Sequence, residues 1–157
     1  LNNDLGPGDY LFALVNDDNG ERIPAIGFQE EPLFENLEGG IYTIIVTDNN
    51  GCTSDTELQI SVIQFPKFFT PNGDGKNDTW VIKGANKDYY QANSSINIFN
   101  RFGKLVAQVL VDGQGWDGTY NGKTLPSDDY WFNIQLIPTD SSKSPILKKG
   151  HFSLLRK

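Results

Sequence analysis

Cysteine is nearly missing: the 157 residues hold one. A single thiol excludes a disulfide framework and a structural zinc site built on several thiolates. Histidine is equally scarce, with one residue, which excludes most multi-histidine metal centres. No base stands beside any serine or threonine to activate it, so a His-based triad is not expected. Methionine is absent, the expectation for a mature piece or a cut fragment of a longer chain, with any signal peptide out of view. No apolar run approaches the roughly 18–20 residues of a membrane span. Nor does any stretch of about 10–12 residues carry helical periodicity. Bases are scarce in one half only. Residues 1–63 hold Arg22 against twelve acids, a net of −11, while residues 64–157 hold twelve bases against eight acids, a net of +4. The lysines of the second half are scattered, which does not suggest nucleic acid. The asymmetry suggests two units with different jobs.

What is present is strand pattern. Hydrophobic residues make up 38% and charged ones 21%, which suits a folded chain. Asp9 to Val15 is a short apolar run before an Asn-Asp turn. Ile41 to Thr47 is rich in β-branched residues, and Glu57 to Ile63 alternates, with Leu58, Ile60 and Val62 on one face. Further strands are predicted at 65–70, 78–83, 95–101, 104–111, 129–137 and 146–155. Turn chemistry separates them at Asn72-Gly73, Phe102-Gly103-Lys104, Trp116-Asp117-Gly118, Asn121-Gly122-Lys123 and Pro126-Ser127-Asp128-Asp129. Short strands at regular spacing imply all-β architecture: two consecutive antiparallel Ig-like β-sandwich units. The boundary falls near Gln64-Phe65-Pro66, giving units 1–63 and 64–157. The first shows too few strands for a whole sandwich, so its opening strands are expected upstream of Leu1.

The second unit carries motifs in a recognisable order. Phe65-Pro66 leads into Thr70-Pro71-Asn72-Gly73-Asp74-Gly75-Lys76-Asn77-Asp78-Thr79-Trp80. Ile96 to Phe99 is followed by Asn100-Arg101-Phe102-Gly103-Lys104. Gly115-Trp116-Asp117-Gly118 then runs to Pro126-Ser127-Asp128-Asp129-Tyr130-Trp131, and the chain closes on Lys149-Gly150-His151-Phe152-Ser153-Leu154-Leu155-Arg156. Over residues 64–157 this resembles the gliding-motility-associated C-terminal domain, the type B sorting signal of the type IX secretion system. The resemblance implies a Bacteroidota surface or secreted protein that is exported through the periplasm. It implies recognition by type IX translocon components and by a PorP/SprF-type outer-membrane barrel that retains the cargo at the cell surface. Asp128 stands where most relatives have glycine, and the same turn is expected there. Residues Phe34, Leu37, Gly40, Tyr42, Val46, Asp48, Gly51 and Cys52 are similar to the end of an adhesin repeat. In such repeats the cysteine often has an upstream partner; Cys52 reads either as a small buried hydrophobe or as half of a disulfide.

Each chemical segment has two readings. Asn72, Asp74 and Asp78 place oxygens at relative positions 1, 3 and 7, a candidate Ca²⁺ set. An EF-hand is excluded, because Lys76 and Lys83 stand at positions 5 and 12. The other reading is an Asx turn whose side chains accept backbone N–H bonds. At the hairpin tip of Arg101, Phe102 and Gly103, either Arg101 and Phe102 project and meet the secretion partner, or Phe102 caps the sandwich and Arg101 is solvated. The last strand, with Lys148, Lys149, Arg156 and Lys157, is either a core strand with solvated charges or the segment the machinery reads. The neighbouring acids Glu30/Glu31 and Asp128/Asp129 point to opposite faces of a strand and make poor acid–base pairs. The expectation is a non-enzymatic recognition domain. The alternatives are a passive structural module, since the run from Trp116-Asp117-Gly118 to Pro126-Ser127 and Tyr130 is also similar to the domain of flagellar hook-capping proteins, and a carbohydrate-binding module, which would need an exposed planar row of aromatics.

Overall fold

The computed structural model describes residues 10–48 and 56–156, so Cys52 and Lys157 lie outside the described residues. The chain divides into two compact units, Leu1–Val62 and Ile63–Lys157. The described residues form strands and turns and no helix.

In the first unit β1 (Tyr10–Asn16), β2 (Arg22–Ile23), β3 (Gly40–Asp48) and β4 (Thr56–Val62) make an antiparallel sheet in the order β2-β1-β3-β4. The register sets Leu14 against Ile44, and Ile44 against Leu58. With a period of two, Phe12, Leu14, Ile44, Val46, Leu58 and Ile60 therefore share one face. Leu14 is buried, whereas Leu58 at the β4 edge is 55% exposed. Before β3 the Tyr42 hydroxyl donates to the Glu38 carbonyl at 2.9 Å, a tyrosine closing its own loop.

The second unit has a five-stranded sheet in the order β5-β11-β10-β6-β7, where β5 is Phe68–Phe69, β6 Ser95–Phe99, β7 Leu105–Val109, β10 Asp128–Leu136 and β11 Ile146–Leu154. A small hairpin of β8 (Thr119–Tyr120) and β9 (Lys123–Thr124) stands apart. Asn121 and Gly122 both have positive φ, as a type I′ turn demands. In β10 the residues Tyr130, Phe132, Ile134 and Leu136 are buried while Asp129, Trp131, Asn133 and Gln135 face outward. The core is aromatic. Phe152 stacks on Trp80 with ring centres 4.2 Å apart, and Phe69, Trp116, Tyr130 and Phe132 surround it.

Three expectations change. Residues 78–83 form no strand: Trp80 exchanges two backbone bonds with Trp116, and Lys83 two with Gln64. A longer ladder is stopped by the left-handed glycines Gly84 and Gly115 beside these pairs. The strand expected over 65–70 shrinks to Phe68–Phe69. Pro66 has no N–H to give, and its carbonyl instead accepts the Trp80 indole N–H at 2.9 Å. Finally, β5 runs parallel to β11, one exception to the antiparallel pattern.

Candidate functional site

The sequence-predicted elements gather at one end of the second unit. Phe99 pairs with Trp131 and Asp128 with Leu154, so the hairpin after Phe99, the turn before Asp128 and the chain after Leu154 leave the sheet on the same side. Because β5 runs parallel to β11, the chain leaving Phe69 enters the Asn72–Asp78 loop there too.

That loop is closed by its own amides. Asp78 accepts three backbone N–H bonds, from Asn72 at 2.9 Å and from Gly73 and Gly75 at 2.7 Å. Asn72 Oδ1 accepts from the Asp74 N–H, the Asn72 amide donates to Asp74 Oδ2, and Asp74 Oδ1 accepts from the Lys76 N–H. Gly73 and Gly75 supply the left-handed φ that aims their N–H groups at Asp78. These N–H bonds, first from Gly73 and then Gly75, hold the Asp78 carboxyl below its ordinary value. The oxygens of Asn72, Asp74 and Asp78 thus accept N–H bonds within the loop, as in the Asx-turn reading of the sequence. Among the described residues no group of three His, Cys, Asp or Glu side chains converges for a metal.

A depressed carboxyl pKa stabilises the fold above the unfolded-state value and loses that contribution as pH falls through the folded value. Asp78→Asn is therefore expected to lower the melting temperature at neutral pH and to remove part of the acid sensitivity below the ordinary carboxyl value of 3.8. Melting curves of both proteins between neutral and acid pH check this. The wild-type curve is expected to be the same in calcium and in chelator. A calcium-dependent rise would show that the loop reopens around the ion.

The hairpin tip is organised by Asn100, a residue that the sequence reading passed over. Its Oδ1 accepts from the N–H groups of Phe102 and Lys104, both at 3.0 Å, while Gly103 takes the left-handed conformation. Phe102 is 83% exposed and does not cap the core. The Arg101 guanidinium lies 5.4 Å from the Phe102 ring centre and 3.5 Å from Asp128. An exposed pair of this kind contributes little to stability; it orients the arginine.

The chain end is held differently. Arg156 donates its backbone N–H to Ser127 Oγ at 2.8 Å, its Nε to the Leu125 carbonyl at 2.8 Å and its Nη2 to the Gly118 carbonyl at 3.0 Å. It is a half-buried clasp joining the last strand to the Trp116–Pro126 segment. Two neighbours complete it. The Trp116 indole donates to the Thr119 carbonyl at 2.8 Å and the Tyr130 hydroxyl to the Pro126 carbonyl at 3.0 Å, a bond like those that close corners in sandwich domains. Burial, followed by the Asp128 charge, pushes the Tyr130 hydroxyl pKa up against the opposing Arg156 charge, which keeps it a donor. Gly118 has φ +79°, and a Cβ there would overlap Leu154 Cδ1 and come within 2.8 Å of Arg156 Nη2. Gly150 makes similar room: a Cβ would stand 2.6 Å from Phe132 Cζ. These backbone roles of Gly118 and Gly150, and the grip of Arg156, carry no local sequence signal. Lys148 and Lys149 are exposed farther along β11, away from the tip.

Among the described residues no helix is long and apolar enough to cross a membrane. The family model described as CHU_C Type IX secretion signal domain matches residues 63–154. No curated protein matches the chain.

Proposed function

The chain belongs to the CHU_C type IX secretion signal domain family, and on that premise we propose that its second unit works as a folded, non-enzymatic address whose loop end is read by a protein partner. Membership makes the unit a sorting signal for the type IX system, interacting with that system and directing its cargo toward the cell surface or the extracellular space. The finer reading is ours. The cargo is a gliding-type surface adhesin whose last repeat includes residues 1–63, and a PorP/SprF-type outer-membrane barrel retains it at the surface.

One observation supports this reading most. The Arg101-Phe102-Gly103 tip, the Asx loop and the clasped chain end lie together at one end of the sheet, and the tip presents an exposed ring with a cation beside it. An aromatic and an arginine are the residue types that dominate binding energy at protein interfaces. Lys148, Lys149 and Lys157 add positive charge that would steer association, while Arg156 serves mainly to hold the surface in shape.

A reporter fused to this unit tests the reading in strains with and without the barrel. Arg101→Ala with Phe102→Ala is expected to leave the fold intact, since both side chains are exposed, and to reduce surface-retained reporter by about tenfold, the loss of one hot-spot contact. Unchanged retention by the double variant would remove the tip from the recognition surface. Retention that is independent of the barrel would remove the barrel.

A further inference from the structure

The outward face of the five-stranded sheet carries a feature that the sorting role does not use. The register lines up Leu105, Phe99, Trp131 and His151 across β7, β6, β10 and β11. Strand spacing makes this row about 14 Å long. Trp131 is 42% and Leu105 46% exposed, Phe99 is half-buried, and the Trp131 and His151 rings stand 6.4 Å apart. Phe68, paired with Ser153 and 50% exposed, continues the row diagonally at the β5 end.

Polar side chains flank the row along the strands. On one side, about 7 Å away at two residues per repeat, Gln108, Asn97, Asn133 and Lys149 align by the same register. On the other side Asp129 is turned to Ser153 Oγ, which it bonds at 2.6 Å. Phe99, Trp131, Asn133, Lys149 and His151 line one shallow depression. Across β6 and β10 the apolar stripe is thus a single residue wide. Such a strip is too narrow for the desolvated core of a protein interface. It suits a flat ring that stacks on indole while its edge groups meet amides. Among the residues that line the depression Lys149 carries a charge and none is a carboxylate. The complementary ligand is therefore anionic.

We propose that this face is a binding surface for an acidic polysaccharide, with Trp131 stacking a sugar ring, Asn97 and Asn133 hydrogen-bonding its hydroxyls and Lys149 pairing with a uronate carboxylate. The surface is distinct from the hairpin tip, and of the residues given a part in sorting it shares Lys149 alone, whose charge there only steers encounter. It would let an exported chain hold an acidic glycan coat.

The chain of residues 1–157 can be titrated with polygalacturonate, with uncharged dextran and with poly-glutamate, following tryptophan emission and heat. Trp80 and Trp116 are 0% and 4% exposed, so quenching by a ligand reports Trp131. Polygalacturonate is expected to bind saturably with quenching, and dextran and poly-glutamate about tenfold more weakly or not at all. Trp131→Ala is expected to weaken binding about tenfold, one stacked ring. Lys149→Gln, at an exposed position that tolerates change, is expected to weaken it severalfold while keeping the quench. Absence of saturable polygalacturonate binding, or binding that Trp131→Ala leaves unchanged, would overturn the proposal. Equal affinity for dextran would overturn the acidic class, and equal affinity for poly-glutamate would replace the saccharide by an acidic peptide.

Discussion

Gly118→Ala is expected to destabilise the second unit by about 3 kcal/mol, a large part of the stability of a domain this size. Two costs add. The backbone there has φ +79°, a region in which a Cβ costs about 1–2 kcal/mol. The new methyl would also collide with Leu154 and press on the Arg156 guanidinium, and overpacking of a filled core costs about 1–3 kcal/mol. Arg156 would have to release the Gly118 and Leu125 carbonyls, which loosens the end of β11. Denaturant unfolding followed by tryptophan fluorescence measures the loss, because Trp116 sits in the same segment. A change below about 0.5 kcal/mol, the range of ordinary surface substitutions, would mean that the clasp is slack and that Gly118 has another role.

The second large effect belongs to Phe152. Its ring is fully buried and touches five others: Phe69, Trp80, Trp116, Tyr130 and Phe132. Phe152→Ala is expected to cost about 4 kcal/mol, within the range for deleting a buried aromatic ring and leaving its cavity. The stack on Trp80 adds to the loss. Phe152→Leu fills most of the volume and should recover more than half of the difference. Equilibrium unfolding of the two variants makes the comparison, and equal losses would show that ring shape rather than filled volume governs the site. The two predictions share a consequence. If the address is a fold rather than a linear tag, both variants should lose export in proportion to stability, although neither residue reaches the surface at the hairpin tip.

The legibility of this fold in the sequence follows burial. β10 is unambiguous because it alternates from Tyr130 to Leu136 with one face buried. β11 is equally plain from Phe152 and Leu154. The Asn121-Gly122 hairpin follows from left-handed turn chemistry alone. Residues 78–83 misled because burial of Trp80 and Ile82 resembles strand alternation, although the backbone bonds are made one pair at a time. The two-residue β2 is too short to leave any period.

Legibility of the candidate site follows a different rule. The Asx loop could be read because Asn72, Asp74 and Asp78 act within seven residues of one another, and the structure uses the same side-chain oxygens for N–H groups. Arg156 could not be read that way. Its partners, the carbonyls of Leu125 and Gly118, lie 31 and 38 residues away, and a terminal arginine looks solvated in any local window. Trp131 sat in view on the outward phase of β10. Its alignment with Phe99 and His151 depends on the pairing register of three strands, which turn lengths and packing settle together.

The central claim is that residues 63–157 are an export address whose signal is the folded surface. The most direct test is a fluorescent reporter fused to residues 63–157, compared with the same fusion carrying Gly118→Ala, in a strain with an intact type IX system and in one lacking it. Reporter is expected at the cell surface for the intact fusion in the intact strain, at a lower level for the variant in proportion to its lost stability, and only in the periplasm in the secretion-deficient strain. Surface delivery of the Gly118→Ala fusion at the intact level, with the unit shown to be unfolded, would contradict the account and make the signal a linear segment.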